Sequence, residues 1–138
     1  MWKFYATTMV CLVIIVEPSA AQSQLAPEAF PTFAVGTWVG VGTQGSTPDQ
    51  MRSWSIALVV DQQAEKVSIA YPSLRCNGVW KIMTKKSHQA WFRETIHQGK
   101  KRCVSGGHIA VTPVDSRHLT FSYFSKGKLV ASATLTRK

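Results

Sequence analysis

From Gly36 onward the chain reads as short runs of β-type residues separated by turn residues, and no window shows convincing apolar spacing of 3.6. This punctuation constrains the fold more than any other feature. Eight runs are readable: residues 37–43, 52–61, 66–74, 79–84, 90–97, 108–114, 119–124 and 129–136. Several alternate with the period of a half-buried strand. Trp54, Ile56, Leu58 and Val60 share one face, as do Val67, Ile69 and Tyr71, and as do Leu119, Phe121 and Tyr123. Between the runs stand Gly45-Ser46-Thr47-Pro48-Asp49, Gln62 to Glu65, Cys76-Asn77-Gly78, Lys85 to His88, Gln98 to Cys103 and Ser125 to Lys128. Asn77-Gly78 suits a tight hairpin, and Pro72 ends or bends the third run because it cannot donate to a ladder. Eight strands with short connections predict an all-β fold, an antiparallel meander that removes its edges by closing into a barrel. An open two-sheet sandwich is the alternative.

The segment before Gly36 is of a different kind. Lys3 precedes an uncharged, mostly apolar stretch from Phe4 to Val16, Glu17-Pro18 breaks it, and Ser19-Ala20-Ala21 supplies small residues for cleavage before Gln22. Residues 1–21 therefore read as a secretory signal peptide, too short in its apolar run to span a bilayer. Residues 22–35, with Pro27 and Pro31, read as an extended, mobile lead-in, and 36–138 as a single barrel domain. Export places the working chain in a periplasmic or extracellular compartment.

Export changes the meaning of the cysteines and the charge. Cleavage removes Cys11 and leaves Cys76 and Cys103, an even pair in an oxidising compartment, which predicts a disulfide. Cleavage also removes one base, Lys3, and one acid, Glu17, so the net charge of +9 belongs to the working domain. The bases collect in turns. Lys100, Lys101 and Arg102 follow the fifth run and Lys126 and Lys128 follow the seventh. In an up-and-down meander both groups lie at one end and form a basic rim, with Lys85-Lys86 at the other. Such a rim suits an anionic envelope component. Trp80, Trp91 and Phe124 offer stacking surfaces beside these charges. Export argues against nucleic acid as the partner.

Two stretches resemble known families. Gly36-Thr37-Trp38 resembles the Gly-x-Trp opening of lipocalin-type and avidin-type barrels, where the tryptophan plugs one end. The run Tyr71-Pro72-Ser73-Leu74-Arg75-Cys76-Asn77-Gly78 is followed by Phe92-Arg93-Glu94-Thr95-Ile96, then Cys103 and Gly106-Gly107. It resembles a small exported bacterial domain with the pattern YPSLxCxG…FRExI…C…GG. That domain occurs in secreted proteins and in extracytoplasmic segments of signalling proteins, and the resemblance brings no biochemical activity with it. Asn77 stands where the pattern often has glycine.

Within this stretch Glu94 shares a face with Phe92 and Ile96. If that face is interior, the carboxyl must be paired or shifted in pKa. Arg75 and Arg93 are the nearest candidate partners, and Glu94 either forms a structural ion pair with one of them or touches a ligand. The candidate ligand-lining residues are Trp38, Trp54, Tyr71, Arg75, Arg93 and Glu94. No GxSxG, HExxH, Walker or GxGxxG pattern appears, no CxxC or HxxxH spacing marks a metal, and no cofactor is implied. The sequence thus points to an exported, monomeric, non-catalytic binding module for a small apolar or amphipathic ligand or an anionic envelope component. A protein-interaction module, such as a hydrolase inhibitor or envelope-complex subunit, is the alternative.

Overall fold

The computed structural model describes residues 31–45, 47–63 and 66–138; the stretch read as a signal peptide (1–21) and the first part of the expected lead-in (22–30) lie outside them. Eight strands follow in order: β1 (Gly36–Gln44), β2 (Arg52–Asp61), β3 (Lys66–Tyr71), β4 (Cys76–Lys86), β5 (Gln89–Gln98), β6 (His108–Pro113), β7 (His118–Ser125) and β8 (Lys128–Arg137). Each pairs antiparallel with the next, and β1 also pairs with β8, so the sheet closes into a barrel. Closure excludes the open sandwich.

The period-two pattern explains the interior. Ile56, Leu58 and Val60 of β2, Val67, Ile69 and Tyr71 of β3, and Phe92, Glu94 and Ile96 of β5 are all buried, while the residues between them face outward or sit at the surface. Trp38, Leu58, Ile109, Leu119 and Leu135 have essentially no exposed surface. Each such side chain contributes about 1.5–3 kcal/mol by leaving water.

The structure corrects two local expectations. Cys76-Asn77-Gly78 is not a turn: these residues open β4. The reversal comes earlier, through a 3-10 turn at Pro72–Leu74 and Arg75 in the left-handed region at φ 54°. Pro72 pre-sets the φ that such a turn needs, so proline and not Asn-Gly fixes the corner. Gly78 is required for another reason: a side chain there would collide with the backbone carbonyl of Thr95 on β5, at a shift in register between the two strands.

The second correction concerns residues 31–35, read as the end of a mobile lead-in. Thr32–Ala34 form a 3-10 turn, and Ala34 is part of the core. Trp38 Nε1 donates to the Ala34 carbonyl at 2.8 Å. Arg137 lies over the Trp38 ring, 4.2 Å from its centroid, and donates to the carbonyls of Val35 (2.7 Å), Phe33 (3.3 Å) and Ser116 (3.0 Å). This end of the barrel is closed by its own chain.

Candidate functional site

The connections that follow β1, β3, β5 and β7 all lie at the opposite end. There the barrel opens into a cavity of about 280 Å³, lined among others by Trp54, Tyr71, Glu94, Arg102, Phe121 and Tyr123. Its position follows from strand order: Trp54 stands near the start of β2, Tyr71 ends β3 and Tyr123 stands near the end of β7.

Glu94 is the one buried charged residue among those described, with 1% of its surface exposed. It is inside because it falls on the apolar phase of β5. Its carboxyl receives two hydrogen bonds on the same oxygen, Oε2: Tyr71 Oη donates at 2.5 Å and Trp80 Nε1 at 2.9 Å. Trp80 is its cross-strand partner on β4. The Trp80 indole is in turn held against Phe92 (centroids 5.3 Å) and Phe121 (5.8 Å). Burial pushes the Glu94 carboxyl above its ordinary pKa, and the two hydrogen bonds only partly offset this. Burial, and then the negative charge of Glu94, push the Tyr71 phenol well above its ordinary value. Tyr123 is raised for the same two reasons.

Tyr123 has a second peculiarity. Its hydroxyl is buried and makes no hydrogen bond. The ring packs so closely on Gly107 that a side chain at that position would collide with it. Leaving a hydroxyl buried and unsatisfied costs about 1–3 kcal/mol, so a partner from outside the chain is favoured there.

The mouth is fixed by two cross-links from the β5–β6 connection. Cys76 and Cys103 form the expected disulfide, with Cα atoms 6.4 Å apart. Arg102 reaches from the same connection to the β3–β4 turn, Nε donating to the Leu74 carbonyl at 2.8 Å and Nη2 to the Arg75 carbonyl at 3.1 Å. The guanidinium is thereby held at the cavity. Lys100, Lys101, Lys126 and Lys128 are exposed around this mouth, the first three in the connections after β5 and β7 and Lys128 at the start of β8. Asp49 is the one acidic residue in the four connections at this end.

The structure brings together Trp54, Tyr71 and Glu94 of the expected ligand-lining residues and separates the other three. Trp38 is buried at the far end, its indole bonded to the Ala34 carbonyl. Arg75 is exposed and serves the turn with its left-handed backbone. Arg93 is exposed, one step out of phase with Glu94, and its guanidinium stands 3.2 Å from His108 Nε2. The expected ion pair between Glu94 and either arginine is therefore absent, and Tyr71 and Trp80 take its place. Neutral donors satisfy the carboxyl without the desolvation of a second charge. Trp80 is likewise buried and not a stacking surface for the rim. Trp91 and Phe124 do pair, at 5.2 Å, on the half-buried outer side. Sequence reasoning left out Phe121 and Tyr123 as site residues, although their shared face with Leu119 was legible.

Comparison with known proteins adds no assignment: no family model matches the chain, and no curated protein does. No helix among the described residues is long and apolar enough to cross a membrane.

Proposed function

We propose that this chain is an exported, non-catalytic binding module that takes one small amphipathic ligand into the cavity at the basic end of the barrel. The observation that carries the reading is the composition of that cavity. Aromatic walls from Trp54, Tyr71, Phe121 and Tyr123 meet a few convergent polar groups, Glu94, Arg102 and the unpartnered Tyr123 hydroxyl. Apolar walls with a small number of placed polar groups are the composition of small-molecule sites. The volume of about 280 Å³ suits a compact ligand and not a long lipid chain.

Raised pKa values in a cleft also accompany catalysis. Here the carboxyl oxygen Oε2 is already engaged by Tyr71 and Trp80, an arrangement that favours fixed recognition over proton transfer. The disulfide agrees with an oxidising compartment, and export follows from the signal-peptide reading of residues 1–21. The basic rim raises the local concentration of anionic ligands by steering.

Native mass spectrometry of protein purified from its own host tests the proposal. A single small-molecule adduct is expected, released on denaturation and lost in an Ala131→Phe variant that fills the cavity. Protein that emerges bare, and that shows no saturable response to phenol or indole, overturns it.

A further inference from the structure

The two ends of the cavity differ in what they can recognise. At the mouth, Arg102 is held in place by the carbonyls of Leu74 and Arg75, with Lys100 and Lys101 beside it in the same connection. Asp49 is the one acid in the connections at this end. This mouth favours an anion. At the inner end the opposite holds. Glu94, Tyr71 and Tyr123 converge there, and no lysine or arginine among the described residues is buried to balance them. An acid group pushed to that depth meets a carboxyl and two phenols, so it is favoured only at the mouth.

The inner end asks for a neutral hydrogen-bonding group. The Tyr123 hydroxyl lacks a partner. Neither donor to Glu94 uses Oε1, since both bonds fall on Oε2. A ligand hydroxyl can donate to one oxygen and accept from another, so a single such group serves both sites. Between the ends, the walls are aromatic rings, which prefer a flat partner in offset or edge-to-face contact.

We infer that the ligand is a small aromatic acid with a hydroxyl at the end of the ring away from its acid group, the acid at Arg102 and the hydroxyl between Tyr123 and Glu94. This rests on the binding reading above and names the ligand class for the same cavity.

Calorimetric titration of the oxidised protein at neutral pH with three probes tests it: 4-hydroxybenzoate, benzoate, which lacks the hydroxyl, and 4-hydroxybenzyl alcohol, which lacks the charge. 4-Hydroxybenzoate is expected to bind at least about tenfold more tightly than either relative, the cost of one unpaired buried group or one lost charge-assisted bond. Tyr123→Phe should erase the advantage over benzoate. Arg102→Gln should erase the advantage over the alcohol. Should that variant fail to fold, salt replaces it: rising ionic strength is expected to weaken the acid and spare the alcohol, and a salt-independent acid overturns the assignment. If the neutral alcohol binds as tightly as the acid, or benzoate as tightly as its hydroxylated relative, the ligand class falls and the cavity reading stands. If none of the three binds and the native adduct is absent, both fall.

Discussion

Each end of this barrel is organised by one tryptophan and one arginine, and the two pairs do opposite things. At the closed end, Trp38 has no exposed surface, its indole N–H is bonded to Ala34, and Arg137 covers its ring while bonding three backbone carbonyls. At the open end, Trp54 is half-buried on a cavity wall, and Arg102 bonds two carbonyls of the neighbouring turn. The closed end leaves little to recognise. The open end keeps a space, a buried acid and an unsatisfied hydroxyl, and it carries a disulfide. The difference teaches that stability and recognition are divided between the ends, with the cross-links holding in place an end that packs less completely.

That division can be broken by substitution. Trp38→Ala should have the largest effect, a loss of about 3–5 kcal/mol in denaturant unfolding, whereas Trp54→Ala should cost about 1–2 kcal/mol, since less area leaves water. Equal losses would contradict the contrast. Removing the disulfide with Cys76→Ser and Cys103→Ser should cost about 3–4 kcal/mol by freeing the unfolded chain. Proteolysis of the 99–107 connection should rise, while the 31–35 segment stays protected; nicking at both ends would show that the cross-link serves the whole barrel.

Smaller effects sharpen the account. Tyr123→Phe should raise stability by about 1 kcal/mol by removing an unsatisfied hydroxyl, although the same change weakens binding of a hydroxylated ligand. A destabilised variant would mean that the hydroxyl has a partner in solution. The smallest expected effect is a pH dependence. Glu94 is raised in the folded state, so its favourable contribution is full below the unfolded carboxylate value and is lost as pH rises through the folded one. The groups facing it are Tyr71 from β3, Trp80 from β4 and Tyr123 from β7, with Arg102 at the mouth. Unfolding curves of wild type and Glu94→Gln between pH 4 and 8 should diverge in favour of the variant as pH rises. A constant difference would deny the shift.

Much of this architecture is legible in the residues. The alternation in β2, β3, β5 and β7 places Ile56, Ile69, Phe92 and Phe121 inside and gives Glu94 an interior position. Strand count and short connections lead to a closed meander, and the parity of the connections puts Lys100 and Lys126 at one end. The partners of Glu94 are less accessible. Arg75 and Arg93 are near in sequence, but the pleat turns Arg93 outward and the 3-10 turn carries Arg75 past the strand. Tyr71 and Trp80 reach the carboxyl only through the register of β3, β4 and β5, which short patterns do not encode. Arg137 is separated from Trp38 by the length of the barrel sequence, and barrel closure alone makes them neighbours. The same long-range pairing hides the packing of Tyr123 on Gly107.

The division between the ends is tested most directly by the tryptophan indole N–H signals in a two-dimensional NMR titration with 4-hydroxybenzoate. The account predicts saturable shifts of the Trp54 and Trp80 signals, with the Trp38 signal unmoved. A Trp38 signal that shifts with them, or Trp54 and Trp80 signals that stay fixed at saturating probe, would contradict it.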